Sequence, residues 1–199
     1  YHDYPGDDMP WTIAREALDL LLRHGTAHPA APTGRPVLGF YGGEPLLRFD
    51  LVRQSVEYLE GEAPGRFSYA ITTNGPLLSA PIREFMAAHD VDLLVSVDGP
   101  RAVHDGGRRF ADGGASSGAV LSNLRNLKQE FPSYYGERVG WSCVLTSTAL
   151  GPVADFVRDC DRAPGLVVVT GIRPGAAHAD RGARSSWWAA KDWGRTLRR

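Results

Sequence analysis

Cysteine is scarce in this chain. Only Cys143 and Cys160 occur among 199 residues, and two thiols without metal-ligand spacing cannot make a cysteine-rich metal site by themselves. Cys143 falls inside an apolar strand pattern and Cys160 at the end of a helical one, so both read as buried thiols acting as small hydrophobes. Long apolar runs are also lacking: none approaches the roughly 20 residues that cross a bilayer, and the polar, turn-rich opening from Tyr1 to Asp8 is no signal peptide. Nor is there an excess of charge of either sign. The 22 Lys and Arg balance 23 Asp and Glu, leaving a net charge of −1, which gives no global attraction to nucleic acid or acidic membranes. The expectation is a cytoplasmic protein with neither kind of partner, in which a disulfide is disfavoured and any charged ligand is met locally.

What is present is the composition of one globular domain, with 43% hydrophobic and 23% charged residues. Helical spacing runs from Pro10 to about His24, with Ile13, Ala14, Ala17, Leu18 and Leu21 forming its apolar stripe. Strand patterns follow at Val37 to Tyr41, Phe67 to Thr72, Leu93 to Val97, Val139 to Leu145 and Leu166 to Thr170. Between them lie helical stripes: Val52, Val56 and Leu59 capped by Asp50, then Ile82, Phe85 and Met86 opened by Ser79. Val120, Leu121, Leu124, Leu127 and Phe131 form the next, and Val153 to Cys160 the last. Residues 101–116 read as a long polar loop. Strands alternating with helices predict a parallel sheet with right-handed crossovers, and the lack of an order reversal favours a partial barrel over a doubly wound sheet.

From Arg173 the composition changes to Gly, Ala, Arg and Trp, with Trp187, Trp188 and Trp193 among Arg181, Arg184, Arg195, Arg198 and Arg199. Arginine beside aromatics can bind single-stranded nucleic acid, but no second basic stripe supports that use. Residues 173–199 read as a tail or the start of a linker.

Three consecutive strands end in polar turns: Gly42-Gly43-Glu44-Pro45, Thr73-Asn74-Gly75, and Ser96-Val97-Asp98-Gly99-Pro100. Adjacent parallel strands set these ends side by side, where ligands gather in α/β proteins. Paired glycines let a ligand approach the backbone. Glu44 suits an ammonium group, Asn74 and Ser96 suit hydroxyls or a carboxylate, and Arg108 in His104-Asp105-Gly106-Gly107-Arg108 can grip a carboxylate. An amino-acid-like ligand is implied. Each residue also has an ordinary structural reading, as turn chemistry for Asn74-Gly75 and Asp98-Gly99 and a loop hydrogen bond for His104-Asp105. No residue qualifies as a catalytic acid or base.

In order along the chain, Tyr-Gly-Gly-Glu-Pro-Leu-Leu, Thr-Thr-Asn-Gly-Pro-Leu-Leu and Ser-Val-Asp-Gly-Pro-Arg-Ala-Val-His-Asp-Gly-Gly-Arg resemble the core of radical S-adenosylmethionine (radical SAM) enzymes. The branch resembled carries a C-terminal SPASM or related auxiliary-cluster domain and includes peptide maturases and anaerobic sulfatase-maturating enzymes. The resemblance implies a partial, TIM-like (β/α) barrel over residues 1–172, with about five of its parallel strands present and the first missing. It implies that Gly42, Gly43, Glu44 and Pro45 hold the amino group of S-adenosylmethionine (AdoMet), that Ser96 and Asn74 line the cofactor rim, and that Arg108 reaches the cofactor carboxylate. A peptide or protein substrate, modified by hydrogen abstraction, is implied as well.

The chain departs from the family in one respect. The Cys-x3-Cys-x2-Cys loop that binds a [4Fe-4S] cluster is absent from the sequence, and Tyr1 would follow just after its third cysteine. The chain is therefore expected to be a fragment, unable by itself to cleave AdoMet reductively, since such clusters are held by cysteine sulfur. The alternatives are a cluster-less barrel that binds AdoMet or a peptide without radical chemistry, and an ordinary α/β-barrel enzyme for a phosphorylated substrate.

Overall fold

The structure is a computed structural model that describes residues 8–26, 34–145, 150–160, 164 and 166–171. The Arg- and Trp-rich segment from residue 173 and most of the opening polar stretch lie outside the described residues. Element order is α1 (Trp11–His24), β1 (Val37–Phe40), a 3-10 turn (Pro45–Arg48), α2 (Phe49–Glu62), β2 (Ser68–Thr73), α3 (Ala80–Ala88), β3 (Asp92–Ser96) and α4 (Arg101–Gly107). Then come α5 (Ser117–Glu130), α6 (Pro132–Arg138), β4 (Val139–Leu145), α7 (Leu150–Asp159) and β5 (Leu166–Gly171). The five strands form one sheet in the order β1-β2-β3-β4-β5, every neighbouring pair parallel. Sequential order without a reversal is the layout of a partial (β/α) barrel, as the sequence predicts.

Side chains alternate across each strand, and that alternation divides the sheet into two unlike faces. Tyr69 and Ile71 of β2, Leu93 and Val95 of β3, and Val139 and Trp141 of β4 join one apolar core with Leu18, Val56, Leu59, Met86, Leu124 and Leu127 from the helices. The alternate set includes Val37, Gly39, Ala70, Thr72, Leu94, Ser96, Gly140, Ser142 and Val144, small or polar except for Val37, Leu94 and Val144. Helices therefore cover the outer face, and most of these inner-face side chains are short.

Several local readings need correction. Ile13 and Ala17 of α1 are exposed, while Ala14 and Leu18 are buried. The helix carries apolar residues around more than one side, so spacing alone does not select the packed one. Its packed side meets α2 through the edge-on rings of Trp11 and Tyr58 and a hydrogen bond from the Tyr58 hydroxyl to Asp19. Asp50 is not a cap: it lies in the first turn of α2, where Arg48 grips its carboxylate. The polar stretch after Pro100 is not all loop, because residues 101–107 form α4. Phe131 ends α5, and a further short helix, α6, begins at Pro132, a residue suited to the first turn. Cys143 is buried, but Cys160 is only half-buried.

Candidate functional site

The turn after β1 is tied to the end of β2 by one carboxylate. Glu44 Oε1 accepts the Leu46 N–H at 3.0 Å and the Thr73 hydroxyl at 2.7 Å, and Oε2 accepts the Asn74 N–H at 2.7 Å. A carboxylate offers about four acceptor positions. Oε1 is filled, and Oε2 keeps one position for a donor from outside. Thr73, itself buried, also accepts the Gly75 N–H at 3.0 Å, so both strand-end turns hang on a single hydroxyl–carboxylate pair. Pro45 opens the 3-10 turn that follows Glu44.

The glycines here divide into two kinds. Gly75 has φ +91°, and a Cβ on it would lie 2.8 Å from Val95 Cγ1 and 3.1 Å from Val120 Cγ1, so backbone angle and packing both require glycine. A Cβ on Gly39, Gly42 or Gly43 would meet no protein atom within 4 Å. For Gly43, whose φ is not positive, neither packing nor that strain calls for glycine. Close approach of a ligand to the turn backbone is one use that would.

Register continues the rim. Thr73 pairs with Val95, so Asn74 follows beside Ser96, and Ser96 pairs with Ser142 of β4. Asn74, Ser96 and Ser142 thus form a polar row across three adjacent strands on the inner face, at the ends of β2 and β3 and partway along β4. Asn74 Oδ1 is buried and has no hydrogen-bond partner. A buried acceptor without a donor costs about 1–3 kcal/mol, and a ligand N–H or O–H would relieve that cost.

Beyond β3 the chain is fastened by Asp98. Its carboxylate accepts Arg108 Nε at 2.6 Å and Nη2 at 3.3 Å, and it also takes the Val144 N–H of β4 at 2.9 Å. The Asp98 N–H donates to His104 Nδ1 at 3.3 Å, which assigns the proton to Nε2, 3.2 Å from Ser116 Oγ; that hydroxyl in turn donates to the Arg108 carbonyl. His104 is buried in α4, and burial pushes its pKa down, with Arg108 adding to the effect and Asp98 and Asp105 opposing it. Asp105 points elsewhere and accepts the Ser117 N–H and hydroxyl at 2.9 and 2.7 Å, at the start of α5. His104 and Asp105 are therefore a pair of structural ties.

The predicted residues Gly42, Gly43, Glu44, Pro45, Asn74 and Ser96 gather at the ends of β1, β2 and β3. Arg108 stands apart, committed to Asp98. Sequence reading missed Thr73, whose hydroxyl looks ordinary until Glu44 is placed beside it. It also missed Ser142, which strand alternation and register with Ser96 could have found. Among the described residues, no group of three or more His, Cys, Asp or Glu side chains is arranged to hold a metal ion. The two cysteines do not fit a cluster: Cys143 packs with Val153 on the outer face, its thiol pushed up to about 11 chiefly by burial, and Cys160 packs against the separate main core. The rim does fit AdoMet, by the unpartnered Asn74 Oδ1, the open position on Glu44 and the uncrowded Gly43.

This is the rim of a partial (β/α) barrel with places for the N–H and O–H donors of a small ligand. No protein-family model matches the chain. It is 29% identical over 152 residues to the uncharacterized protein MJ0907 of Methanocaldococcus jannaschii, covering 76% of this chain and 48% of that protein. Over 90 residues it is 30% identical to the radical SAM cyclopropyl synthase TigE of Paramaledivibacter caminithermalis, covering 45% of this chain and 18% of TigE. The structure of native anSMEcpe with bound AdoMet superposes with a TM-score of 0.68 at 18% identity, covering 82% of this chain and 42% of that one. Native anSMEcpe with bound AdoMet and Kp18Cys peptide gives 0.69 at 18% identity, covering 87% and 46%. The chain thus spans about half the length, or less, of the proteins it matches. The structural likeness establishes the fold, and the sequence similarity to TigE supports a relationship to the radical SAM superfamily. Among the described residues, no helix is long and apolar enough to cross a membrane.

Proposed function

We propose that residues 1–172 are core-barrel sequence of a radical SAM enzyme of the branch with an auxiliary-cluster domain, and that this rim binds AdoMet. The observation that carries the reading is the buried, unpartnered Oδ1 of Asn74 beside a Glu44 carboxylate with one acceptor position left. Together they offer two acceptors to an ammonium or hydroxyl. Gly42 and Gly43 let the ligand reach the turn backbone, Pro45 stiffens the turn that carries Glu44, and Ser96 contributes a hydroxyl to the row. AdoMet supplies, when cleaved reductively, the means of abstracting hydrogen from a peptide or protein substrate in the whole enzyme. The substrate class is supported by the peptide bound to anSMEcpe, and the radical SAM chemistry by TigE being a radical SAM cyclopropyl synthase. Arg108, already paired with Asp98, would hold the β3 turn in place and meet a ligand carboxylate only by sharing its guanidinium. Residues 173–199 would lead toward a further domain.

Calorimetric titration tests the reading. AdoMet is expected to bind the wild-type chain and to bind Glu44→Gln more weakly, while inorganic phosphate fails to compete. No AdoMet binding by wild type, or displacement by phosphate, overturns it in favour of a phosphate-handling barrel.

A further inference from the structure

We propose that Thr73 is a positioning residue for the ammonium end of AdoMet, acting through Glu44; the inference rests on the AdoMet-binding reading above. A threonine hydroxyl has one proton to give. Thr73 spends it on Glu44 Oε1 at 2.7 Å and accepts the Gly75 N–H at 3.0 Å. The Leu46 N–H fills the remaining position on Oε1. With Oε1 held from two directions, the carboxylate plane is fixed, and Oε2 is left with the Asn74 N–H and one unfilled position. The same Asn74 carries the buried Oδ1 that lacks a donor. The Thr73 hydroxyl therefore bears on two acceptors at once: it orients Glu44, which holds the Asn74 N–H, and it holds the Gly75 N–H on the other side of Asn74. Thr73 itself is 2% exposed and stands on the face opposite the rim row, so it contributes without touching the ligand.

AdoMet and 5′-methylthioadenosine separate this role from a merely structural one. The two share the nucleoside and its sulfur, but only AdoMet carries the amino-acid end. Thr73→Val keeps the shape and removes the hydroxyl; in calorimetric titration of the folded chain it is expected to weaken AdoMet binding by roughly tenfold or more, as for loss of a hydrogen bond to a charged group. Binding of 5′-methylthioadenosine should change by less than about twofold, and Thr73→Ser, which retains the hydroxyl, should restore AdoMet binding. Thermal melts establish that each variant is folded at the titration temperature, and Thr73→Ala is read in the same way should Thr73→Val melt too low. Equal weakening of both ligands, no weakening of either, or failure of Thr73→Ser to restore binding overturns the positioning role. A wild-type chain that binds no AdoMet overturns the underlying function instead.

Discussion

The Arg108 guanidinium forks onto the Asp98 carboxylate, Nε 2.6 Å from Oδ2 and Nη2 3.3 Å from Oδ1, while the same carboxylate accepts the Val144 N–H of the neighbouring strand. Strand β3 leaves the sheet just before this point, and the Asp98 side chain satisfies an amide that the departing backbone does not. Asp98→Ala would strand that amide together with a guanidinium that is only one-quarter exposed. Loss of about 3 kcal/mol is expected, or roughly 10 °C in melting temperature for a domain of this size. Asp98→Asn should be nearly as damaging, because its amide group sets a donor against the donors of Arg108. A melting temperature within about 2 °C of wild type for Asp98→Ala would show that the fork is dispensable.

His104 makes the stability of this corner depend on pH. Its folded pKa lies below the ordinary 6.5, so between the two values the unfolded chain binds the extra proton and the native chain does not. Stability is then complete above about 6.5 and falls as pH drops toward the lowered native value, by at most about 1.4 kcal/mol per pH unit. Protonation of Nδ1 would also place a donor against the Asp98 N–H. His104→Gln is expected to flatten the denaturant-derived stability profile between about pH 6.5 and 5, above the range where the lowered carboxylates Asp105 and Glu130 titrate. A profile as steep in the variant as in wild type would assign that slope to other groups.

The sequence was legible where one force acts alone. Every strand lies within one residue of its apolar run, since burying that run against helices leaves little freedom in its ends, and the order of polar turns located the rim. Illegible were features decided by partners distant in sequence. Glu44 reads as a free carboxylate until Thr73, 29 residues later, is set against it. Arg108 reads as a ligand grip until Asp98 claims it. Helix α4 was hidden because its short segment ends in Gly106 and Gly107, and its ties come from His104 and Asp105 across the fold rather than from helical propensity.

Two glycines give a contrast that separates folding from binding. Gly75→Ala forces a Cβ within 2.8 Å of Val95 and 3.1 Å of Val120 at a φ of +91°, so a stability loss of about 2 kcal/mol or more is expected. Gly43→Ala adds a methyl group that meets no protein atom within 4 Å, and its melting temperature should stay within about 2 °C of wild type. If the turn backbone is where AdoMet approaches, that same methyl group occupies the ligand's space and weakens binding by roughly tenfold. Gly43→Ala with unchanged melting and unchanged AdoMet affinity would remove the turn from the binding surface. Loss of stability without a change in affinity would return Gly43 to an ordinary backbone role. The pairing matters because Gly43 stands next to Glu44, whose carboxylate is already engaged by the fold, and a residue that the fold does not use reports on the ligand alone.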